Sequence, residues 1–204
     1  MAKDIVVVGG GIVGVCSALL LQRAGNKVRL IDAKKPGQET SYGNAGVLAE
    51  ASFVVLNSPG LLKIWPKLLF NLTVKLRVNH FFVLKRLPWF LKFLSYCREA
   101  HVMYAAGALR QLLTLSLATH KDLIKAAGVG HLLRQNGWLK LFRTEAGFAE
   151  FSKELEVIQS FGARFTVYGR EQIRQVEPGL KPVYCKAVLM DDTCTVSNPA
   201  DLTD

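Results

Sequence analysis

The stretch Val6–Gly14 reads VVVGGGIVG, a short apolar run that ends in glycines at positions 9, 11 and 14. Together with the preceding residues it gives DIVVV (Asp4–Val8), a continuous β-branched run that predicts a strand buried on both faces. From Ile12 to about Ala24 the apolar residues recur at helical spacing, and Gly25-Asn26 is typical of a helix end. KVRLID (Lys27–Asp32) predicts a second strand. The N-terminal segment is therefore predicted to form a βαβ unit, a connection that is right-handed in nearly all proteins.

The spacing of the glycines predicts a dinucleotide site. Gly9 suits the tight turn out of the strand, Gly11 allows the backbone to approach a pyrophosphate, and Gly14 allows the helix to pack closely on the strand. The helix N-terminus then offers N–H groups and partial positive charge to the phosphates. Asp32 follows at the distance expected of a ribose-binding acid, where its carboxylate would repel the 2′-phosphate of NADP. The alternative is a glycine turn that serves packing alone, with Asp32 as an ordinary residue at a strand end.

The positive charge of the chain is concentrated in its second quarter. The formal net charge is +10, and between Ala51 and Ala100 there is a single acid, Glu99, against eight basic residues: Lys63, Lys67, Lys75, Arg77, Lys85, Arg86, Lys92 and Arg98. Seven aromatic residues are interleaved with them: Trp65, Phe70, Phe81, Phe82, Trp89, Phe90 and Phe93. The segment is too apolar for an ordinary nucleic-acid face and favours contact with a membrane surface. The alternative is a domain core of aromatics with a solvated rim of lysines.

Cysteine and histidine spacing gives no sign of a metal site. The four cysteines form no CxxC pair and the four histidines no HxxxH pair, so we predict neither structural zinc nor a disulfide framework, and reduced thiols in a cytoplasmic setting. Three consecutive glycines and Asp4 argue against a signal peptide. There is no uncharged apolar run of 18 residues, so no membrane-spanning helix is expected.

The remaining chain predicts alternating helices and strands. Helices are predicted after Ser58-Pro59 up to Pro66, from Pro88, over Met103–Ala127, over Glu145–Phe161 with Thr144 as its cap, over REQIRQVE before Pro178, and from Asn198-Pro199 onward. Strands are predicted over Gly137–Arg143, Ala163–Tyr168 and Tyr184–Met190, and AKKPGQETSYGNAG after Asp32 is predicted to be a loop.

Several segments resemble the D-amino-acid oxidase superfamily of flavoproteins. TSYGNAG (Thr40–Gly46) is similar to the stretch that follows the second strand in that family, and Gly14–Ala18 (GxxxA) and Gly25 fit its extended fingerprint. NGWLKLFRTE (Asn136–Glu145), followed by VEPGL and SNPADL, resembles the bacterial D-amino-acid dehydrogenases, a membrane-associated respiratory branch. The likeness covers essentially the whole chain and is weakest in its basic middle.

The resemblance implies an α/β fold: a Rossmann-like FAD-binding βαβ unit with part of an α+β substrate domain, an incomplete flavoprotein fold corresponding to the N-terminal half of the enzyme. Residues 1–50 would form the βαβ unit, 51–190 the first part of the substrate domain, and 191–204 a return toward the FAD domain. The residues expected to bind the cofactor are Gly9, Gly11, Ile12, Val13, Gly14, Asp32, Ser41, Asn44, Ala45 and Gly46.

The implied activity is oxidative deamination of a D-amino acid in amino-acid catabolism, by hydride transfer from Cα to flavin N5. Electrons would pass to a quinone-linked acceptor at the inner face of the inner membrane. In this family the groups that bind the substrate carboxylate lie in the second half of the chain, so no catalytic residue is assigned. Arg134, Arg143, Tyr168 and Tyr184 could bind a carboxylate, but each is more typical of a surface or packing residue.

Three alternatives stay open. The first is a related flavin amine oxidase acting on glycine, sarcosine or hydroxyproline. The second is a non-catalytic remnant that no longer retains FAD. The third is an NAD-linked reductase, against which the Asn44-Ala45-Gly46 run argues.

Overall fold

A computed structural model of the chain describes residues 1–72 and 77–202. Lys75, and Thr203 and Asp204 at the end of the segment predicted to start a helix at Asn198, lie outside the described residues. The chain divides into two units. Unit 1 comprises Met1–Ala49, Leu115–Leu139 and Leu189–Asp204, and unit 2 comprises Glu50–Thr114 and Lys140–Val188. Residues 115–139 therefore group with the N-terminal segment, whereas the sequence placed them within 51–190.

The N-terminal βαβ unit forms as predicted. β1 (Asp4–Val8) and β2 (Lys27–Ile31) pair in parallel with Val6 opposite Arg29, and α1 (Ile12–Arg23) connects them. The turn into β2 is closed by Asn26, whose side chain accepts from Lys3 N at 3.2 Å and donates to Leu21 O at 3.0 Å. Gly25 in that turn has φ +83°, a left-handed conformation that favours glycine after a helix.

The prediction that β1 is buried on both faces is wrong. Val6 and Val8 are 55% and 83% exposed, while Ile5 and Val7 on the other face are half-buried. The reason is the size of the sheet, which contains β1 and β2 alone, with α1 against one of its faces. The opposite face of the described sheet is therefore an open apolar surface.

The other elements follow in chain order: β3 (Val47–Ala49), α2 (Pro59–Lys63), α3 (Trp65–Leu69), α4 (His80–Lys85), α5 (Leu87–Ser95), α6 (Glu99–Ala126), β4 (Leu133–Arg134), β5 (Trp138–Phe142), α7 (Glu145–Ser160), β6 (Phe165–Gly169), α8 (Arg170–Val176), β7 (Lys186–Met190) and β8 (Thr193–Val196). A 3-10 turn at Gly130–Leu132 precedes β4. Thr144 caps α7 as predicted, accepting from Gly147 N at 3.1 Å. No helix in the described ranges is long and apolar enough to cross a membrane.

Unit 1 contains a second sheet that the sequence did not predict, in the order β3-β8-β4, with β8 antiparallel to both neighbours. It brings Val47 opposite Thr195, far along the chain. The buried apolar residues of unit 1 include Met190 and Val196 near or on β8, Leu132 just before β4, and Ile124 on α6, and none lies on β1, α1 or β2. The core of the described unit is thus built by the later segments rather than by the βαβ unit.

Unit 2 has its own core and includes most of the sheet β5-β7-β6. Phe53, Ile158 and Val188 are fully buried there, and the Phe53 ring meets Phe161 edge-on at 5.6 Å between centroids. Glu50 accepts from Arg110 and, at 2.9 Å, from the Thr114 hydroxyl, which ties the start of this unit to α6.

The predicted boundaries differ from the observed ones at several places. α6 begins at Glu99, four residues before Met103, and β7 begins at Lys186 rather than Tyr184. Ser58 precedes α2 as predicted, but its side chain makes no capping bond. The helix predicted from Asn198 is not present in the described residues: residues 199–202 form a turn in which Asn198 Oδ1 accepts from Ala200 N at 3.2 Å. The Asn198 side chain thus gives the Ala200 N–H a local hydrogen-bond partner, and this contact does not require a helix.

We expect Thr193→Val to raise the free energy of unfolding by about 1 kcal/mol, and Tm by about 2–4 °C. Thr193 on β8 is 1% exposed, and its hydroxyl has no hydrogen-bond partner among the described residues. Valine has nearly the same shape and removes the cost of the buried hydroxyl. Thr195→Val is the matched control, because the Thr195 hydroxyl lies 2.9 Å from Asn136 Oδ1 and its loss should destabilise. Urea unfolding measures both, and a change of the same sign in both variants would contradict the assignment.

Candidate functional site

The glycine turn after β1 is held by backbone contacts to β2 and the loop beyond it. Gly9 adopts φ +109°, and its N–H donates to Ile31 O at 2.8 Å. Gly10 is buried, its carbonyl accepts from Gly37 N at 2.8 Å, and a Cβ on it would lie 3.2 Å from Asp32 Cβ. The glycine spacing predicts roles for Gly9 and Gly11 but none for Gly10. Gly10 is an unspecified position of the G-x-G-x-x-G motif, so only the run of three glycines in the sequence could have indicated its role.

Gly14 is where α1 meets the turn. A Cβ at this position would lie 1.7 Å from Gly9 O, a distance that no side chain can occupy. The backbone of α1 therefore approaches the end of β1 directly, as the third glycine of this motif requires.

The N-terminus of α1 is suited to an anion. Gly11 at its N-cap has no side chain to cap the helix, and the first turn carries no acidic residue. Ile12 N donates to Ser41 Oγ at 2.9 Å, which brings the Ser41 loop to this helix end. The N–H groups of a first helical turn have no partner within the helix, and with the helix dipole they favour a phosphate. Val13, another of the predicted residues, lies exposed in the same turn.

Asp32 lies beside the turn at the end of β2. Its Oδ1 accepts from Lys34 N at 2.9 Å and its Oδ2 from Gly10 N at 2.5 Å. These two bonds, that from Lys34 first, lower the pKa of the Asp32 carboxyl, so it stays ionised at neutral pH. The Lys34 amine pairs with Glu39, which raises the pKa of Lys34. A carboxylate has about four acceptor positions, so Asp32 can bind ribose hydroxyls while it holds the turn.

The Asn44 side chain shapes the next loop. Its amide nitrogen donates to Ser41 O at 2.9 Å and its oxygen accepts from Gly46 N at 2.7 Å. Gly46 has φ +63°, and a Cβ there would lie 2.4 Å from Val196 O. Gly46 O in turn accepts from Val196 N at 2.7 Å. Asn44 therefore fixes the conformation of this loop, and Gly46 joins the loop to β8.

A cleft of about 370 Å³ lies within unit 1 along this loop. Its lining includes five predicted cofactor residues: Ile12, Ser41, Asn44, Ala45 and Gly46. The other five, Gly9, Gly11, Val13, Gly14 and Asp32, belong to the turn, the first turns of α1 and the end of β2. The lining also includes residues that are not among the predicted cofactor ligands: Val47, Leu48, His120, Val196, Pro199 and Leu202. Val47 and Leu48 directly follow the predicted loop, whereas the other four come from distant parts of the chain, where no local pattern marks them.

His120 is the titratable side chain among the lining residues. Its Nδ1 lies 2.9 Å from Ser116 O one helical turn earlier. Because a carbonyl can only accept, Nδ1 carries a proton and donates this bond.

Among the described residues, no contact brings the four candidate carboxylate ligands, Arg134, Arg143, Tyr168 and Tyr184, together in one site. Arg143 lies over the Tyr184 ring at 5.8 Å from its centroid in unit 2, a packing interaction. Arg134 lies on β4 in unit 1, and Tyr168 on β6 in unit 2. No catalytic residue is assigned.

Comparison with known proteins identifies the family. Residues 4–204 match the family model described as DAO: FAD dependent oxidoreductase. A D-amino-acid oxidase of Bradyrhizobium diazoefficiens is 33% identical over 97% of this chain and 47% of its own length. A D-amino acid dehydrogenase of Azorhizobium caulinodans is 32% identical over 90% of this chain and 44% of its own length. The chain thus spans about half the length of these relatives.

Solved structures agree on the fold. Glycine oxidase from Geobacillus kaustophilus superposes with a TM-score of 0.63 at 18% identity, over 100% of this chain and 43% of that one. L-proline dehydrogenase from P. horikoshii gives 0.60 at 19% identity, over 99% and 40%. The predicted α/β flavoprotein fold, the predicted family and FAD as its cofactor are confirmed. The chain belongs to the FAD dependent oxidoreductase (DAO) family.

Proposed function

We propose that this chain supplies the FAD-binding turn of an enzyme that oxidises D-amino acids to 2-oxo acids. The observation that carries the proposal is the hydrogen bond from Ile12 N to Ser41 Oγ, which joins the glycine turn to the Asn44 loop around one helix N-terminus. Support for the substrate class comes from the two relatives above 30% identity, a D-amino-acid oxidase and a D-amino acid dehydrogenase.

The residues present fit FAD. A Cβ at Gly14 would meet Gly9 O, so α1 packs directly on the end of β1 and its N-terminus lies at the glycine turn, where the motif binds a pyrophosphate. In the proposed complex the N-terminus of α1 binds the pyrophosphate and Asp32 accepts from the adenosine ribose. The Ser41–Gly46 loop, held by the Asn44 side chain, guides the rest of the cofactor along the cleft.

FAD, when bound, supplies a hydride acceptor. The amino acid loses a hydride from Cα and a proton from nitrogen, and water converts the resulting imino acid to a 2-oxo acid and ammonia. This chain's proposed part in that reaction is to bind and orient the cofactor.

We propose further that electrons leave to a quinone-linked acceptor at the inner face of the inner membrane. The second candidate is an oxidase that reduces oxygen, as the name of the Bradyrhizobium relative indicates. Anaerobic addition of a D-amino acid to the FAD-loaded full-length enzyme should bleach the visible absorbance of the flavin, and the L-enantiomer should not. Rapid recovery of colour in air would favour the oxidase. Bleaching by the L-enantiomer alone would overturn the proposed stereochemistry.

We expect His120→Ala to weaken FAD binding about three- to tenfold, because it removes a polar imidazole from the lining of the proposed cofactor cleft. Titration with FAD, followed by quenching of flavin fluorescence, measures the Kd. His131→Ala is the matched control, since His131 is an exposed residue of the same unit outside the lining of this cleft.

Equal affinities in the wild-type and His120→Ala proteins would remove His120 from the site. Tight uptake of NAD, with no uptake of FAD, would overturn the proposed function as a whole. A protein that gains no flavin spectrum with ample FAD would indicate the non-catalytic remnant.

A further inference from the structure

The segment α2–α5 of unit 2 combines positive charge with more apolar side chains than it can bury. No acidic residue occurs between Ala51 and Arg98, a stretch with eight basic residues, of which all but Lys75 are described. Its small core consists of Leu61, Leu68 and Cys97, with Trp65 and Phe93 among the partly buried residues packed on it. Many of its other large apolar side chains are exposed.

α5 shows the imbalance most clearly. Phe90 and Phe93 form the packed side of the helix, with the Trp65 ring 5.1 Å from that of Phe90. Leu87 and Leu91, four residues apart and therefore neighbours on the helix surface, are exposed, as is Trp89 at 62%. A helix that is apolar nearly all round is normally buried on all sides, so the exposed side of α5 indicates a missing contact.

α4 repeats the pattern over six residues. Phe81, Leu84 and Lys85 lie at i, i+3 and i+4 on one side of the helix, and Phe81 and Leu84 are 76% and 71% exposed. A lysine beside exposed apolar groups can lay its methylene chain on them and keep its ammonium in water. We give the name basic aromatic surface to the exposed phenylalanine, tryptophan, leucine, lysine and arginine residues of these two helices and the link between them: Phe81, Phe82, Leu84, Lys85, Arg86, Leu87, Trp89, Leu91 and Lys92.

We propose that the basic aromatic surface docks on the interface of an anionic phospholipid bilayer. Aromatic and leucine side chains would enter the headgroup–acyl boundary while Lys85, Arg86 and Lys92 contact the anionic headgroups. The absence of acids from the whole segment matches the negative charge of anionic headgroups, and it disfavours pairing with the same surface of a second copy, where cations would face cations. α4 and α5 are far too short to span a bilayer, so the contact lies in the interface.

Docking on a bilayer would bring the enzyme to the quinone-linked acceptor proposed above. The physiological role of the docking surface rests on that proposed function, but the evidence for the surface does not. Its geometry comes from unit 2 alone, whereas the proposed cofactor site lies in unit 1. Docking and FAD binding can therefore fail separately in experiment.

The test is co-sedimentation of the full chain with large unilamellar vesicles. One set contains phosphatidylethanolamine and phosphatidylglycerol, and the other contains phosphatidylcholine alone. We expect binding to the anionic vesicles to exceed that to the neutral ones by at least tenfold and to fall with added salt. Trp89→Ser with Phe81→Ser, and separately Lys85→Glu with Lys92→Glu, should each lower the partition coefficient about tenfold or more.

Matched controls come from exposed residues of unit 2 outside this surface. Tyr104→Ser removes an exposed aromatic from α6, and Lys181→Glu reverses an exposed charge, so neither should change binding. Circular dichroism of each variant verifies that it is folded.

Equal binding to both vesicle sets, equal loss in the control variants, or sedimentation without vesicles would overturn the proposal. The last result would indicate that a second copy of the chain covers this surface. FAD titration of the same samples separates the two proposals: a protein that binds vesicles but no FAD would refute the cofactor site and leave the docking surface intact.

Discussion

Gly14→Ala is expected to destabilise the protein by about 3 kcal/mol or more and to abolish FAD binding. The added Cβ would lie 1.7 Å from Gly9 O, an atom of the backbone that cannot rotate away as a side chain could. Relief of this clash requires α1 to move away from the end of β1. That movement would also displace Ile12 N from Ser41 Oγ, so the turn and the Ser41 loop would separate.

Urea unfolding and FAD titration measure the two effects of Gly14→Ala. Gly43→Ala is the matched control: it lies in the loop between Ser41 and Gly46, but a Cβ there meets nothing within 4 Å. Its free energy of unfolding should stay within about 0.5 kcal/mol of wild type. A Gly14→Ala protein as stable as the Gly43→Ala protein would show that α1 does not pack on β1 in this way.

Asp32→Asn is expected to weaken FAD binding on the order of 10- to 100-fold. Both carboxylate oxygens of Asp32 accept backbone N–H groups, those of Lys34 and Gly10. An asparagine keeps one acceptor and turns an amide donor toward the other N–H, so the turn loses one of its two bonds. It also loses the negative charge that the proposed ribose contact uses. Asp4→Asn, an exposed change at the start of β1, is the control and should leave the Kd unchanged.

The same carboxylate predicts how stability depends on pH. The backbone bonds lower the pKa of Asp32 in the folded protein below its ordinary value of 3.8. The unfolded state therefore binds the proton first as pH falls, and stability from Asp32 is present above pH 3.8 and lost below it. The Asp32→Asn protein has no carboxyl to protonate at this position, so its free energy of unfolding should fall less between neutral and acid pH. The wild-type and Asp32→Asn proteins should therefore become equally stable at low pH. A difference that grew as pH fell would contradict the assignment.

The βαβ unit was predictable because its determinants are local. The β-branched run of β1, the helical spacing of α1 and Gly25 are all read within thirty residues. Gly14 and Asp32 take part in the turn as their spacing predicted, because that motif encodes backbone approach rather than long-range packing. Thr144 likewise caps α7 through a contact three residues away.

Other features depend on contacts between distant parts of the chain. β3 and β8 are three and four residues long, too short for a clear alternating pattern, and they form because each supplies the other's hydrogen bonds. His120 joins the cleft because α6 carries it beside residues 41–48, which no spacing along the sequence indicates. The exposure of Val8 also depends on the tertiary structure, since a β-branched run has the same sequence whether or not a second layer covers it.

The sequence by itself determined the turn, its acid and the family, since glycine spacing and strand–helix order act within a few residues of the backbone. Only the tertiary structure decided which face of β1 is open, which later strand holds Gly46, and which apolar side chains of α4 and α5 are left outside. The physical reason is that a side chain is buried only when another surface covers it, and a stretch of sequence specifies its own surface but not the one that covers it.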